Sequence, residues 1–307
     1  MPNRREVLAG AALLAGCARE PAEAQEPKMP TGPLITRKIP ASGEALPVVG
    51  LGTWQAFDIG PGGGDWSQAR DALKAYAAAG GKVVDSSPMY GRAEAAVGAL
   101  AAELSLRPQL FLATKVWTRG RAAGEAQMAE SARLLRAPVI DLMQVHNLLD
   151  LEAHLPTLRA MKDAGRIRYL GVTHYTEGAY DDLEAVMRRH PLDFIQINAS
   201  VAERESEARI LPLAAERGMA VLINRPFAGG NLFSRVRRLP LPAWAAEIGA
   251  ESWGQILLKY VLAHPAVTCA IPGTRNPRHV LDNLGAATGA LPDAAQRKRI
   301  LDAVAAA

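Results

Sequence analysis

Cysteine is nearly absent from this chain. Two occur in 307 residues, Cys17 and Cys269, and the first lies in an N-terminal leader, so no internal disulfide framework is available to the rest. Aromatic residues are also scarce, at 5%. A net charge of +4 and a pI near 9.2 are spread over single basic residues and pairs such as Arg237-Arg238, without the aromatic-interleaved stripe that nucleic-acid binding needs. The six histidines show no helical pairing with carboxylates or thiols, which argues against a metal site. Paired rim carboxylates, as a barrel hydrolase would use, are missing too. No Gly-x-Gly-x-x-Gly turn follows the first strand, which disfavours a doubly wound dinucleotide-binding sheet.

The leader itself is informative. Arg4-Arg5 precede the apolar stretch from Val7 to Ala18, which is too short to span a bilayer in the mature chain. Residues 1–24 read as an export signal of twin-arginine type, and the export machinery is the expected partner. Leu14-Ala15-Gly16-Cys17 has the form of a lipobox, which would place a lipid anchor on Cys17; Ala22-Glu23-Ala24 is the competing cleavage point. Residues 25–33 read as a tether and 34–307 as the folded part. The expected location is therefore periplasmic or lipid-anchored at the membrane, with a cytoplasmic protein as the weaker alternative.

Two periods alternate through the folded part. Ile35 to Ile39 and Leu46 to Val49 flank the turn-rich Ala41-Ser42-Gly43-Glu44, which predicts a β-hairpin. A strand ending near Gly52 is followed by seven more, at about 83–84, 110–114, 139–145, 168–172, 193–197, 219–223 and 267–271. Helices are expected between them, including 93–104, 123–135, 151–164, 177–188, 204–217 and one opened by Ser252. Strands of continuous apolar residues, each followed by a helix, predict a parallel sheet covered on its outer side. Eight such units close a (β/α)8 TIM barrel, an α/β fold. The stretch from Pro226 to Ala250 is the one oversized loop.

Three of those strands end on polar residues of different kinds: Asp85, Lys115 and His146, at intervals of 30 and 31 residues. That is the length of one strand plus its crossover helix, so all three fall at the same barrel end, where active sites of this architecture are built. Tyr90 follows Asp85 by five residues. Singly each has an ordinary explanation as a cap, a solvated lysine, a core histidine or a packed ring. Together they form a proton-donating site, in which the lysine favours the phenolate, the carboxylate keeps the lysine charged, and the imidazole fixes a substrate oxygen.

Gly50-Leu51-Gly52-Thr53-Trp54, Asp85-Ser-Ser-Pro-Met-Tyr90-Gly91, Thr114-Lys115, Asp141-Leu-Met-Gln-Val-His146 and Ile271-Pro-Gly-Thr-Arg275 resemble the aldo-keto reductases over about residues 34 to 290. The resemblance implies Tyr90 as general acid during hydride transfer from a nicotinamide cofactor to a carbonyl carbon, with Asp85, Lys115 and His146 completing a catalytic tetrad. It implies cofactor contacts at Thr53, Thr173, Gln196, Arg225, Phe227, Thr274, Arg275 and Asn283. His174 replaces a usual asparagine, and Asn224 stands where an aromatic ring stacks on the nicotinamide. Arg275 favours the 2′-phosphate of NADP, with NAD as the alternative. Trp54, Met89 and Trp117 match pocket-lining positions and suit a small apolar carbonyl or alcohol substrate. The departures at His174 and Asn224 support one competing reading, an exported nucleotide-binding or sensing protein without turnover. Glu94 is read as a first-turn helix residue outside the chemistry.

Overall fold

The computed structural model describes residues 29–307; the export signal, the Cys17 lipobox and the start of the tether lie outside the described residues. The chain opens with an antiparallel hairpin of β1 (Thr36–Lys38) and β2 (Ala45–Pro47). Then follow β3 (Leu51–Gly52), α1 (Gly64–Ala78), β4 (Val83–Asp85), α2 (Ala93–Glu103), β5 (Phe111–Val116), α3 (Arg121–Leu134), β6 (Ile140–His146) and α4 (Leu151–Asp163). The second half comprises β7 (Ile167–Thr173), α5 (Tyr180–Arg189), β8 (Phe194–Asn198), α6 (Ile210–Glu216), β9 (Ala220–Asn224), α7 (Asn231–Val236), α8 (Trp253–Leu262), β10 (Cys269–Ala270), α9 (Pro277–Gly285) and α10 (Ala294–Ala305).

Strands β3 to β10 pair in sequence order and in parallel. Parallel bridges Val49↔Ala270 and Gly52↔Gly273 join the two ends, so the sheet closes into the (β/α)8 barrel. The seam is tight. A Cβ on Gly52 would stand 2.7 Å from the Ile271 carbonyl oxygen, so only glycine lets the first and last strands approach.

Alternation along the strands builds the interior in layers. On β4, β5, β6, β7 and β8 the residues Val83, Phe111, Leu142, Tyr169 and Phe194 point inward as one apolar layer. The rings of Phe111, Tyr169 and Phe194 pack together at 5.5–6.0 Å. Ile39 and Leu46 of the hairpin region, both fully buried, belong to the same cluster and plug the N-terminal mouth. Residues on the opposite faces, such as Val84, Leu112, Met143, Leu170 and Ile195, pack against the helices. Further along the inward rows, two residues on for Asp85 and Gln196 and four for Lys115, His146 and Thr173, these five side chains stand at the other mouth.

The structure departs from the sequence reading in three places. The helix expected over 204–217 is a short 3₁₀ turn at 205–207 followed by α6, because Arg209 leaves helical geometry between them. The 226–250 stretch contains α7 and a 3₁₀ segment at 243–248, which bury Leu232, Val236, Ala245 and Ile248. Finally, α9 and α10 were not anticipated; Asn276 and Asp293 cap their N-termini, the latter in a full capping box with Gln296.

Helices α2 and α3 meet at Gly98, where an added Cβ would lie 2.0 Å from the Leu134 carbonyl oxygen. Gly98→Ala is therefore expected to destabilise the chain by about 1–3 kcal/mol, despite alanine's better helix propensity. Denaturant unfolding checks this, and an unchanged midpoint would show that the two helices separate at little cost.

Candidate active site

Lys115 is the centre of the site. Fully buried, it donates from Nζ to Asp85 Oδ2 at 2.7 Å and to the Ser86 carbonyl at 2.6 Å. Its ammonium lies 5.0 Å from the centre of the Tyr90 ring and interacts with the Tyr90 hydroxyl. Burial works against this charge, but the Asp85 carboxylate and the Tyr90 hydroxyl outweigh it and hold the ammonium above its usual pKa. Asp85 is held in turn. Its Oδ1 accepts from Gln196 Nε2 at 2.9 Å and from Gln144 Nε2 at 3.4 Å.

Tyr90 corrects the expectation drawn from residue types alone. Burial raises its pKa, Lys115 offsets only part of that rise, and Asp85 adds to it, so the net direction is upward rather than toward the phenolate. The phenol thus keeps its proton throughout the neutral range, and the ammonium limits a penalty it does not remove.

His146 is nearly buried, with its Nδ1 3.1 Å from Ser87 Oγ. Its ring meets Tyr90 edge to face at 6.1 Å and lies 6.3 Å from Trp117. Burial, then the positive Lys115, then His174 push its pKa down to about 3, so the ring is neutral at physiological pH. The sign of the linkage follows. The unfolded imidazole, near 6.5, takes up its proton before the folded one, so this contribution to stability is intact above pH 6.5 and lost as pH falls toward about 3. His146→Gln is expected to flatten the acid limb of the unfolding free energy over that window. An unaltered slope would mean that the ring titrates normally.

The remaining predicted residues fall into groups that the structure treats differently. Thr53 is fully buried, and its hydroxyl lies 2.9 Å from the Asp85 carbonyl and 3.0 Å from Ser86 Oγ, fastening the β3 and β4 ends. Thr173 donates to Gln196 Oε1 at 2.9 Å while Gln196 reaches Asp85, so these two buttress the carboxylate. His174 is half-buried, accepts the backbone N–H groups of Tyr175 and Thr176 at Nδ1, and stacks on the Tyr175 ring. Asn224 donates to the His174 carbonyl at 3.0 Å.

Arg225, in left-handed geometry, reaches Glu203 at 3.4 Å and borders a cavity of about 280 Å³ that Asn198 and Tyr175 also line. Phe227 packs on Phe233 at 4.7 Å. Thr274 accepts from the Asn276 N–H, Arg275 pairs with Asp65 at 3.0 Å, and Asn283 is buried on α9. Trp54, Met89 and Trp117 are exposed hydrophobic side chains. The Nε atoms of Arg225 and Arg275 are buried without partners. Two guanidinium groups with unused donors, one just ahead of the α9 N-terminus, have the chemistry to hold dinucleotide phosphates.

Ser87, Gln144 and Asp65 were missed. Gln144 carried a readable signal, standing two residues before His146 on the same inward row; the other two needed the packed structure. Glu94 lies in the first turn of α2, as expected, but is buried and accepts from Thr114 and Ser131, tying α2 to β5 and α3. Among the described residues no cluster suits a metal ion, and no helix is long and apolar enough to cross a membrane.

A closed parallel barrel carrying these four side chains at its C-terminal mouth defines an oxidoreductase-type site. The chain belongs to the aldo/keto reductase family, whose model matches residues 48–301. It is 31% identical over 203 residues to the aldo-keto reductase YhdN of Bacillus subtilis, an alignment covering 61% of this chain and 60% of that protein. It is 28% identical over 249 residues to the methylglyoxal reductase YeaE of Escherichia coli, covering 78% and 84%. Among solved structures, an aldo-keto reductase from Klebsiella pneumoniae in complex with NADPH superposes with a TM-score of 0.71 at 26% identity, over 88% of this chain and 96% of that one.

Proposed function

We propose that this chain reduces aldehydes or ketones to alcohols, or catalyses the reverse, using NADP(H), with Tyr90 as general acid. The observation that carries the reading is the buried Asp85–Lys115 ion pair beside Tyr90 and a neutral His146. When bound, the reduced dinucleotide supplies the hydride. His146 donates a hydrogen bond to the carbonyl oxygen and orients it; Tyr90 delivers its proton to that oxygen as negative charge develops there. A developing alkoxide is a much stronger base than a phenolate, so a phenol with a raised pKa still gives up its proton at that moment. Lys115 stabilises the phenolate left behind, and Asp85, braced by Gln196, holds Lys115 in place.

Support for the phosphorylated cofactor comes from Arg275 and from the NADPH bound to the Klebsiella relative. Trp54, Met89 and Trp117 suit small apolar carbonyl compounds. The decisive test follows the loss of reduced-nicotinamide absorbance with a panel of aromatic and short-chain aldehydes, NADPH against NADH. Nucleotide binding without turnover on any carbonyl would instead favour the sensing role, against which the complete tetrad argues.

The reading includes export. Arg4-Arg5, the apolar run to Ala18 and the Leu14-Ala15-Gly16-Cys17 motif support a mature protein that begins with a lipidated Cys17. Mass spectrometry of the mature N-terminus is expected to find that species; a chain beginning at Gln25 would exclude the anchor, and one retaining residues 1–24 would exclude export by this signal.

A further inference from the structure

Ser87 lies in the short turn that carries the chain from β4 to Tyr90, and it is fully buried. It makes two kinds of contact to the site. Its carbonyl accepts the Tyr90 N–H at 3.0 Å, and its Oγ lies 3.1 Å from His146 Nδ1. The same Oγ accepts the Met89 N–H at 3.3 Å. Those are the hydroxyl's partners among the described residues, and Met89 is purely a donor.

The placement of one proton follows from this inventory. The Ser87 hydroxyl hydrogen has a single acceptor in reach, the Nδ1 lone pair of His146. Were Nδ1 protonated, the oxygen would receive two donors while its own hydrogen stayed buried with no acceptor, which folded proteins avoid. An imidazolium would have the same fault and would also face the Lys115 ammonium. The other ring nitrogen, Nε2, has no hydrogen-bond partner among the described residues and is not sealed from solvent, so it remains accessible.

We propose that Ser87 is a positioning residue of the reductase site: by donating to Nδ1 it locks His146 in the Nε2–H tautomer, leaving the imidazole's one proton free for the substrate oxygen. The role in catalysis rests on the carbonyl-reductase reading above, whereas the tautomer does not. Through its carbonyl the same residue also fixes the Tyr90 backbone, so one turn sets the relative placement of both donors. His146 would otherwise divide its proton between two nitrogens, and the Nδ1–H form offers the substrate a lone pair where it needs a hydrogen.

Long-range ¹H–¹⁵N correlation spectra of the full chain, labelled at histidine and free of nucleotide, test this directly. His146 is identified by the signals lost in His146→Gln. The wild type is expected to show the Nε2–H tautomer alone at neutral pH. Ser87→Ala should populate the Nδ1–H form and lower kcat for aldehyde reduction roughly tenfold, the weight of one neutral hydrogen bond, without altering nucleotide Kd. Ser87→Thr, which retains the hydroxyl, should restore both.

A proton on Nδ1 in the wild type overturns the proposal even if Ser87→Ala fails to fold. So does a Ser87→Ala protein that keeps the Nε2–H form alone, whatever its rate; an altered tautomer with unchanged kcat removes the positioning role. Because the spectra need neither substrate nor cofactor, a correct tautomer in a chain that reduces no carbonyl defeats the reductase reading and leaves the Ser87–His146 assignment standing.

Discussion

Tyr90→Phe is expected to reduce kcat/KM for aldehyde reduction by about 10²–10⁴-fold while leaving nucleotide affinity and the unfolding midpoint nearly unchanged. The substitution keeps the ring that meets His146 edge to face and removes only the hydroxyl beside Lys115. What is lost is the proton source for the developing alkoxide. The pH profile of the wild type supplies a second check. Burial holds the Tyr90 hydroxyl above its ordinary value of 10, so the reduction rate should not fall with loss of this proton until pH exceeds about 10. Survival of most of the rate in Tyr90→Phe would identify another group as the acid, and an alkaline limb near neutrality would contradict the raised phenol.

Lys115→Met is expected to cost about 3–5 kcal/mol of stability in addition to abolishing turnover, because it strands the Asp85 carboxylate in the barrel interior. Both side chains are almost entirely removed from solvent and stand 2.7 Å apart. The pair need not be a net source of stability. Two charges withdrawn from water largely forfeit in desolvation what they gain from each other, so the double variant Asp85→Asn, Lys115→Met should recover most of the loss. Unfolding of the two single variants and the double, treated as a thermodynamic cycle, measures the coupling. Additive effects would mean that the two groups do not sense one another, and the positioning of Lys115 by Asp85 would have to be abandoned. A stable, inactive double variant would place the purpose of the pair in the chemistry rather than the fold.

The fold was legible wherever burial is simple. Parallel strands covered on both faces need uninterrupted apolar residues, and β5, β6 and β8 announce themselves in that way. The strand ends Asp85, Lys115 and His146 stood out because a polar residue terminates such a run at nearly constant spacing. Where the backbone is held by non-local contacts, the reading faltered. The end strands β3 and β10 were anticipated, the latter as the longer run 267–271, but only two residues of each pair as strand, and their joining across the Gly52 seam was not readable. Helix α9 packs against α1 from far along the chain, and its Asn276-Pro277 start was obscured by surrounding loop residues. The 226–250 stretch looked structureless because its prolines and glycines hide the short apolar segments that α7 buries.

The candidate site divides along the same line. Residue identity and spacing were enough to establish which four side chains gather at the barrel mouth, because strand length and crossover length are set by local geometry. Their electrostatic state belongs to the tertiary structure alone, since desolvation depends on everything packed around a group. That is why the Tyr90 hydroxyl is a weaker acid than its ammonium neighbour suggested, why His146 is neutral with Ser87 at its back, and why Thr53 and Gln196 brace the Asp85 strand end and carboxylate.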